Sequence, residues 1–95
     1  MISFTVRLTF EEGSRDSIIE SLRQLTQASR QEPGCINYIA HFVEDERATV
    51  LIYEQYADEA ALEHHRNSPH FQQYAAEGLY KLRHSRLLER LQAIA

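Results

Sequence analysis

Residues 82–91, Leu82-Arg83-His84-Ser85-Arg86-Leu87-Leu88-Glu89-Arg90-Leu91, decide the fold. Leu87, Leu88, Leu91 and the following Ile94 have helical spacing, and Leu, Arg, Glu and Gln are good helix formers. Alternation through Ser85, Leu87, Glu89 and Leu91 also permits a strand. Local evidence alone favours helix. The preceding chain argues the other way, because it runs strand, helix, strand, strand, helix, a split βαβ unit that lacks only its fourth strand. We therefore read 82–91 as extended, completing a four-stranded antiparallel sheet in an α+β domain.

Outward from that segment, the first strand is the clearest. Ile2, Phe4, Val6, Leu8 and Phe10 face one way, and Ser3, Thr5, Arg7 and Thr9 the other, the period of a strand with one face on a core. Glu11-Glu12-Gly13 ends it, and Ser14 is the expected N-cap of an amphipathic helix carried by Ile18, Leu22 and Leu25. Pro33-Gly34 stops that helix. Residues 35–43 and 48–56 are rich in Ile, Val, Tyr and Phe and read as a hairpin around Glu44-Asp45-Glu46-Arg47. Both of its strands carry apolar groups on both faces, and the chain is too short to cover both by itself. Asp58 caps a short helix, and Ser68-Pro69 starts another through Phe71, Tyr74, Ala75 and Leu79, with Gly78 as its expected end.

Composition bounds the function. The 95 residues allow one domain, 1–95, of ordinary globular make-up, 43% apolar and 25% charged. Fourteen acids against ten bases give a net charge of −4, which disfavours nucleic acid as a partner. No apolar run approaches the ~20 residues that span a bilayer, and the N-terminus lacks a signal-peptide core, so no membrane association and a cytoplasmic location are expected. The lone Cys35 cannot form an internal disulfide and reads as a small buried side chain.

Arg30-Gln31-Glu32-Pro33-Gly34-Cys35 leading into Tyr38, Tyr53-Glu54-Gln55-Tyr56 followed by Asp58 and Ala61-Leu62, and His65 followed by Ser68-Pro69-His70-Phe71 together resemble the antibiotic biosynthesis monooxygenase family of dimeric α/β-barrel proteins. The pattern is also similar to small quinol monooxygenases and to isomerases of the phosphorylated autoinducer-2 signal. The resemblance implies a ferredoxin-like fold and a homodimer whose sheets pack face to face into a barrel. It further implies oxidation of a quinol-like or polycyclic aromatic substrate by molecular oxygen without flavin, metal or haem. The protein's task is then general-base chemistry in a dry pocket.

His65 and His70 are the candidate catalytic residues, since an unperturbed imidazole titrates near neutrality and can accept a phenolic proton. The alternative is that both simply pack or close helices, and a histidine at the end of a short helix is expected to carry little of the core. His64 should face solvent. The five histidines contain no HExxH and no helical i,i+4 pair, and His65 and His70, five apart across a proline, fix no shared ligand face; no metal and no cofactor are expected. Glu54 lies in an apolar strand, where a carboxylate needs a partner; a salt bridge to Arg7 is favoured over an acid–base role. Tyr53, Tyr56 and Tyr74 are candidate substrate-lining residues, with core or interface packing as the alternative. Asn37 is a candidate for orienting a carbonyl or oxyanion, with hydrogen bonding within the sheet margin as an equal alternative. Lys81 and Arg83 on one face and Arg86 and Arg90 on the other, paired with the acids near Glu44–Glu46, make no nucleic-acid footprint. Two further functions stay open: isomerase of a small carbonyl compound, with an arginine pair beside the pocket marking a phosphorylated one, or a non-catalytic dimeric binding or stress-response module, marked by a filled interior.

Overall fold

The alternating residues at the N-terminus form strand β1 (Ile2–Phe10) in the computed structural model, which describes residues 1–95. The helix α1 (Arg15–Arg30), the hairpin β2 (Cys35–Phe42) and β3 (Thr49–Tyr56), and the short helix α2 (Glu59–Arg66) follow. A π-helix (Phe71–Leu79) runs into a closing helical turn, α3 (Tyr80–Leu82), and then into β4 (Arg83–Leu91). The C-terminal segment is thus a strand, and the four strands form one antiparallel sheet in the order β2-β3-β1-β4. This is the ferredoxin-like α+β arrangement.

Register places the apolar residues of three strands on one face. Val6 lies opposite Ile52 and Leu8 opposite Val50. That face is buried under Ile18, Leu22 and Leu25 of α1, Leu62 of α2, and Ala75 and Leu79 of the π-helix. Burial of such side chains stabilises by about 1.5–3 kcal/mol each. The opposite face is bare in a single chain: Thr5 and Arg7 stand beside Leu51 and Tyr53 on one side and Leu87 and Glu89 on the other. Ile39, Leu87 and Leu91 are 40%, 52% and 47% exposed there. No helix is long and apolar enough to cross a membrane.

Four local expectations are corrected. Ser14 sits inside a short 3₁₀ turn with helical backbone angles, and its side chain makes no cap bond. Gly78 does not end its helix, which continues to Leu82. It instead lets the π-helix approach α1, where an added Cβ would stand 3.1 Å from Ser21 Oγ. Lys81 lies on α3 and not on a strand, and it pairs with Glu77. Arg90 pairs with Glu59 at 2.7 Å across to α2, so the basic residues are not matched by Glu44–Glu46. Asp58 does cap α2, its Oδ1 accepting from Ala61 N at 2.8 Å.

Candidate functional site

Two turns create the site. After α1 the chain turns at Glu32-Pro33-Gly34, with Cys35 N donating to Glu32 O and Ala57 N to Gly34 O. Gly34 lies so close to α2 that an added Cβ would fall 2.3 Å from Ala61 Cβ. This clamp holds Glu32 against the C-terminal end of α2. There His65 follows Leu62 by three residues and shares its buried face, while His64 is exposed. In the second turn Ser68 Oγ donates to His65 O at 2.6 Å and accepts from Phe71 N at 3.2 Å. That closes α2 and swings His70 back toward His65.

The result is a buried cluster. Glu32 Oε2 accepts from His65 Nδ1 at 2.8 Å and also from His70 Nε2. Glu32 Oε1 is buried without a partner. On the other side of the His65 ring, Nε2 lies 3.6 Å from Glu54 Oε1, which accepts from Tyr56 Oη at 2.7 Å. Tyr56, Tyr38 and Phe71 surround the imidazole, with ring centroids 5.1, 5.9 and 5.3 Å away. His65 is only 2% exposed, so its ring is part of the core and not a loose helix end.

The two carboxyl groups are driven apart. Burial would raise Glu32, but the bonds from His65 and His70 outweigh it and hold the group below its usual value. Burial pushes Glu54 up, against the opposing influence of Tyr56, His65, Arg66 and Arg86. Burial and the neighbouring Glu54 keep Tyr56 a neutral phenol donor. An ionised Glu32 accepts hydrogen from Nδ1, which assigns the free lone pair of His65 to Nε2. His65 is one wall of a cavity of about 20 Å³, with Glu54, Arg66, Phe71, Tyr80 and Arg86 among the others. The cavity has room for one water molecule.

His65 and His70 therefore do share a partner, contrary to the inference from their spacing, because the Ser68-Pro69 turn reverses the chain between them. Glu54 belongs to the cluster, but not through Arg7. Phe4 is the residue opposite Glu54, and Arg7 points from the other sheet face. Tyr53 and Asn37 also lie on that open side. Asn37 Nδ2 donates to Gln55 Oε1 at 2.8 Å, and Gln55 in turn to Ser3 Oγ. Neither reaches the cavity, and Tyr74 packs half-buried on the π-helix without lining it. Phe71 and Tyr80 occupy the wall instead. Glu32 is the member of the cluster that the sequence did not single out, although it lies within the Glu-Pro-Gly-Cys turn. Cys35 is half-buried and not fully buried as expected, its thiol pushed up to about 11, chiefly by burial. A larger open groove of about 330 Å³ between α1 and β2 contains none of these groups.

The family model described as antibiotic biosynthesis monooxygenase matches residues 1–77. "Putative monooxygenase YcnE" of Bacillus subtilis (strain 168) is 30% identical over 78 residues, covering 82% of each chain. Among solved structures, PA3566 from Pseudomonas aeruginosa is 29% identical with a TM-score of 0.90, covering 99% of this chain and 94% of its own. A structure described as an antibiotic biosynthesis monooxygenase superposes over both whole chains with a TM-score of 0.92 at 20% identity, a likeness of fold.

Proposed function

The chain belongs to the antibiotic biosynthesis monooxygenase family, and from that premise we propose that it is a small cofactor-independent monooxygenase with His65 as general base, acting on a quinol-like or polycyclic aromatic substrate. The observation that carries this reading is a buried imidazole that is held by Glu32 at Nδ1 and also lines the cavity; with Nδ1–H donating to Glu32, Nε2 is the nitrogen with the free lone pair. Nε2 takes a proton from a phenol or enol. Glu32 stabilises the resulting imidazolium through Nδ1–H, as the carboxylate of a catalytic triad does. The electron-rich substrate anion then reduces dioxygen, one oxygen atom bonding to the ring carbon and the other leaving as water, with the proton held by His65 returned in that step. His70 acts as a positioning residue, holding Glu32 Oε2 from the second side.

Aromatic ligands occupy pockets of about 300 Å³ or more. Substrate entry therefore requires Tyr80 and Arg86, at the outer wall, to move aside. The bare apolar sheet face supports assembly into a homodimer. A second reading, an isomerase for a small phosphorylated carbonyl compound, is favoured by one observation. Arg66 and Arg86 both stand at the cavity, where a guanidinium pair suits a phosphate.

Oxygen uptake with a panel of quinols and anthrones tests the first reading. Positioned general-base catalysis contributes about 10²–10⁴-fold, and His65→Gln should lose activity in that range while His64→Ala keeps it. Equal activity of His65→Gln and wild type on a true substrate would place the base elsewhere. His65→Gln is preferred to His65→Ala because the ring is packed in the core, and circular dichroism should show it folded.

A further inference from the structure

We propose that Glu32, His65 and His70 also form a binding site for one borderline divalent cation of the zinc class. Their donor atoms all lie within 4.8 Å of one another. Two imidazole nitrogens and one carboxylate with a position left open form a common ligand set for such an ion. The bonds from His65 Nδ1 and His70 Nε2 now converge on the single atom Glu32 Oε2, and a cation would replace the hydrogens between them. Glu32 Oε1 is the independent observation. It is an unpartnered carboxylate oxygen on a side chain 4% exposed, and a bound ion would use it as a second donor atom or through a water.

The surroundings suit the ion as well. A histidine that binds metal through one nitrogen commonly donates from the other to an outer carboxylate. With His65 Nδ1 on the ion, its hydrogen moves to Nε2, which already lies 3.6 Å from Glu54 Oε1. The His70 side chain is 19% exposed and gives the ion a way in. One consequence links this site to the chemistry proposed above. The tautomer that binds the cation has no lone pair on Nε2, so cation binding and base action at His65 exclude each other.

The test is independent of turnover. Chelator-treated wild-type protein is titrated with Co²⁺, followed by visible absorption, and with Zn²⁺, followed by calorimetry. One ion per chain is expected. Glu54→Gln should weaken binding about 10–100-fold, as loss of an outer carboxylate does, and His70→Ala, which removes a ligand at the partly exposed edge, by more. His64→Ala and His84→Ala should bind as wild type. Long-range ¹H–¹⁵N spectra of wild type should show Zn²⁺ shifting His65 Nδ1 and His70 Nε2. Absence of stoichiometric binding, unchanged affinity in His70→Ala, or ring shifts confined to His41, His64 and His84 would overturn the site.

Discussion

Replacing Glu32 by glutamine removes one charge and almost no volume from a group 7% exposed. Hydrogen bonds to a charged acceptor contribute about 1.5–3 kcal/mol each, and neutral ones about 0.5–1.5. Glu32 accepts two such bonds, from His65 and His70. If the amide oxygen keeps both in neutral form, the loss is about 1–1.5 kcal/mol per bond, or roughly 2–3 kcal/mol together. A chain of this length has about 5–14 kcal/mol of stability, and each kcal/mol moves Tm by about 4–8 °C. Glu32→Gln should therefore melt about 8–24 °C lower at pH 7. The pH dependence gives a sharper test. Glu32 in the folded protein lies below its ordinary value of 4.5, so its stabilisation is complete above that value and is lost as pH falls through the folded value. Glu54 has the opposite sign: burial raises it, and its ionisation erodes stability as pH climbs above 4.5. Only the Glu32 contribution disappears in the variant. Urea titrations at pH 7 and at successive steps below pH 4.5 should show the gap between the two proteins closing on acidification. Equal stability at pH 7, or a gap that stays constant with pH, would refute the assignment of Glu32 as the charged acceptor.

Gly34→Ala should destabilise by about 1–3 kcal/mol through overpacking, because its Cβ would overlap Ala61 Cβ. Adding Ala61→Gly should recover part of the loss in chemical denaturation, and an undiminished loss in the double variant would show that the clamp is not the cause. For the open sheet face, sedimentation equilibrium at micromolar concentration should give twice the 11.1 kDa chain mass. Leu87→Glu, with Leu87 half-exposed at 52%, should weaken association at least about 30-fold, taking about 1 kcal/mol of lost burial per subunit. Wild type sedimenting as a monomer would remove the dimer from the account.

The fold was legible where one physical requirement dominated. Every second residue of β1 must enter the core, so its period of two survives in the sequence without ambiguity. β4 was harder because it is an edge strand with no uniform face. Arg86, Leu88 and Arg90 share its covered side, while Leu87 and Leu91 lie on the open one. Adjacent leucines then mimic a helix stripe, and only the need to complete the sheet separated the alternatives. Gly78 misled for a related reason. Glycine is a common helix stop, but here it allows close approach to α1, and the wider π-helical winding around it does not follow the 3.6-residue period on which the reading relied.

The site divides along a similar line. Neighbouring residues on a strand point to opposite faces, so Tyr53 and Glu54 could never have lined one cavity. Glu54 belongs with the buried side, because Phe4 opposite it is a core residue. That Tyr53 and Glu54 point apart was available before the register was known; which of the two is buried, and the absence of Arg7 from the cluster, were not, since both depend on which residue of β1 meets which residue of β3. Glu32 was further out of reach. A glutamate in a Pro-Gly turn ordinarily faces water, and no local pattern distinguishes the one that does not. Its burial follows from Gly34 meeting Ala61, a contact between residues 27 positions apart that presses the turn against α2. Once Glu32 is forced inward, its carboxylate must find donors, and His65 and His70 supply them. Histidines that look like isolated candidates in sequence are thus joined by a carboxylate placed by packing, the arrangement on which the proposed base chemistry rests. The glycine at the turn is therefore as necessary to the site as either imidazole.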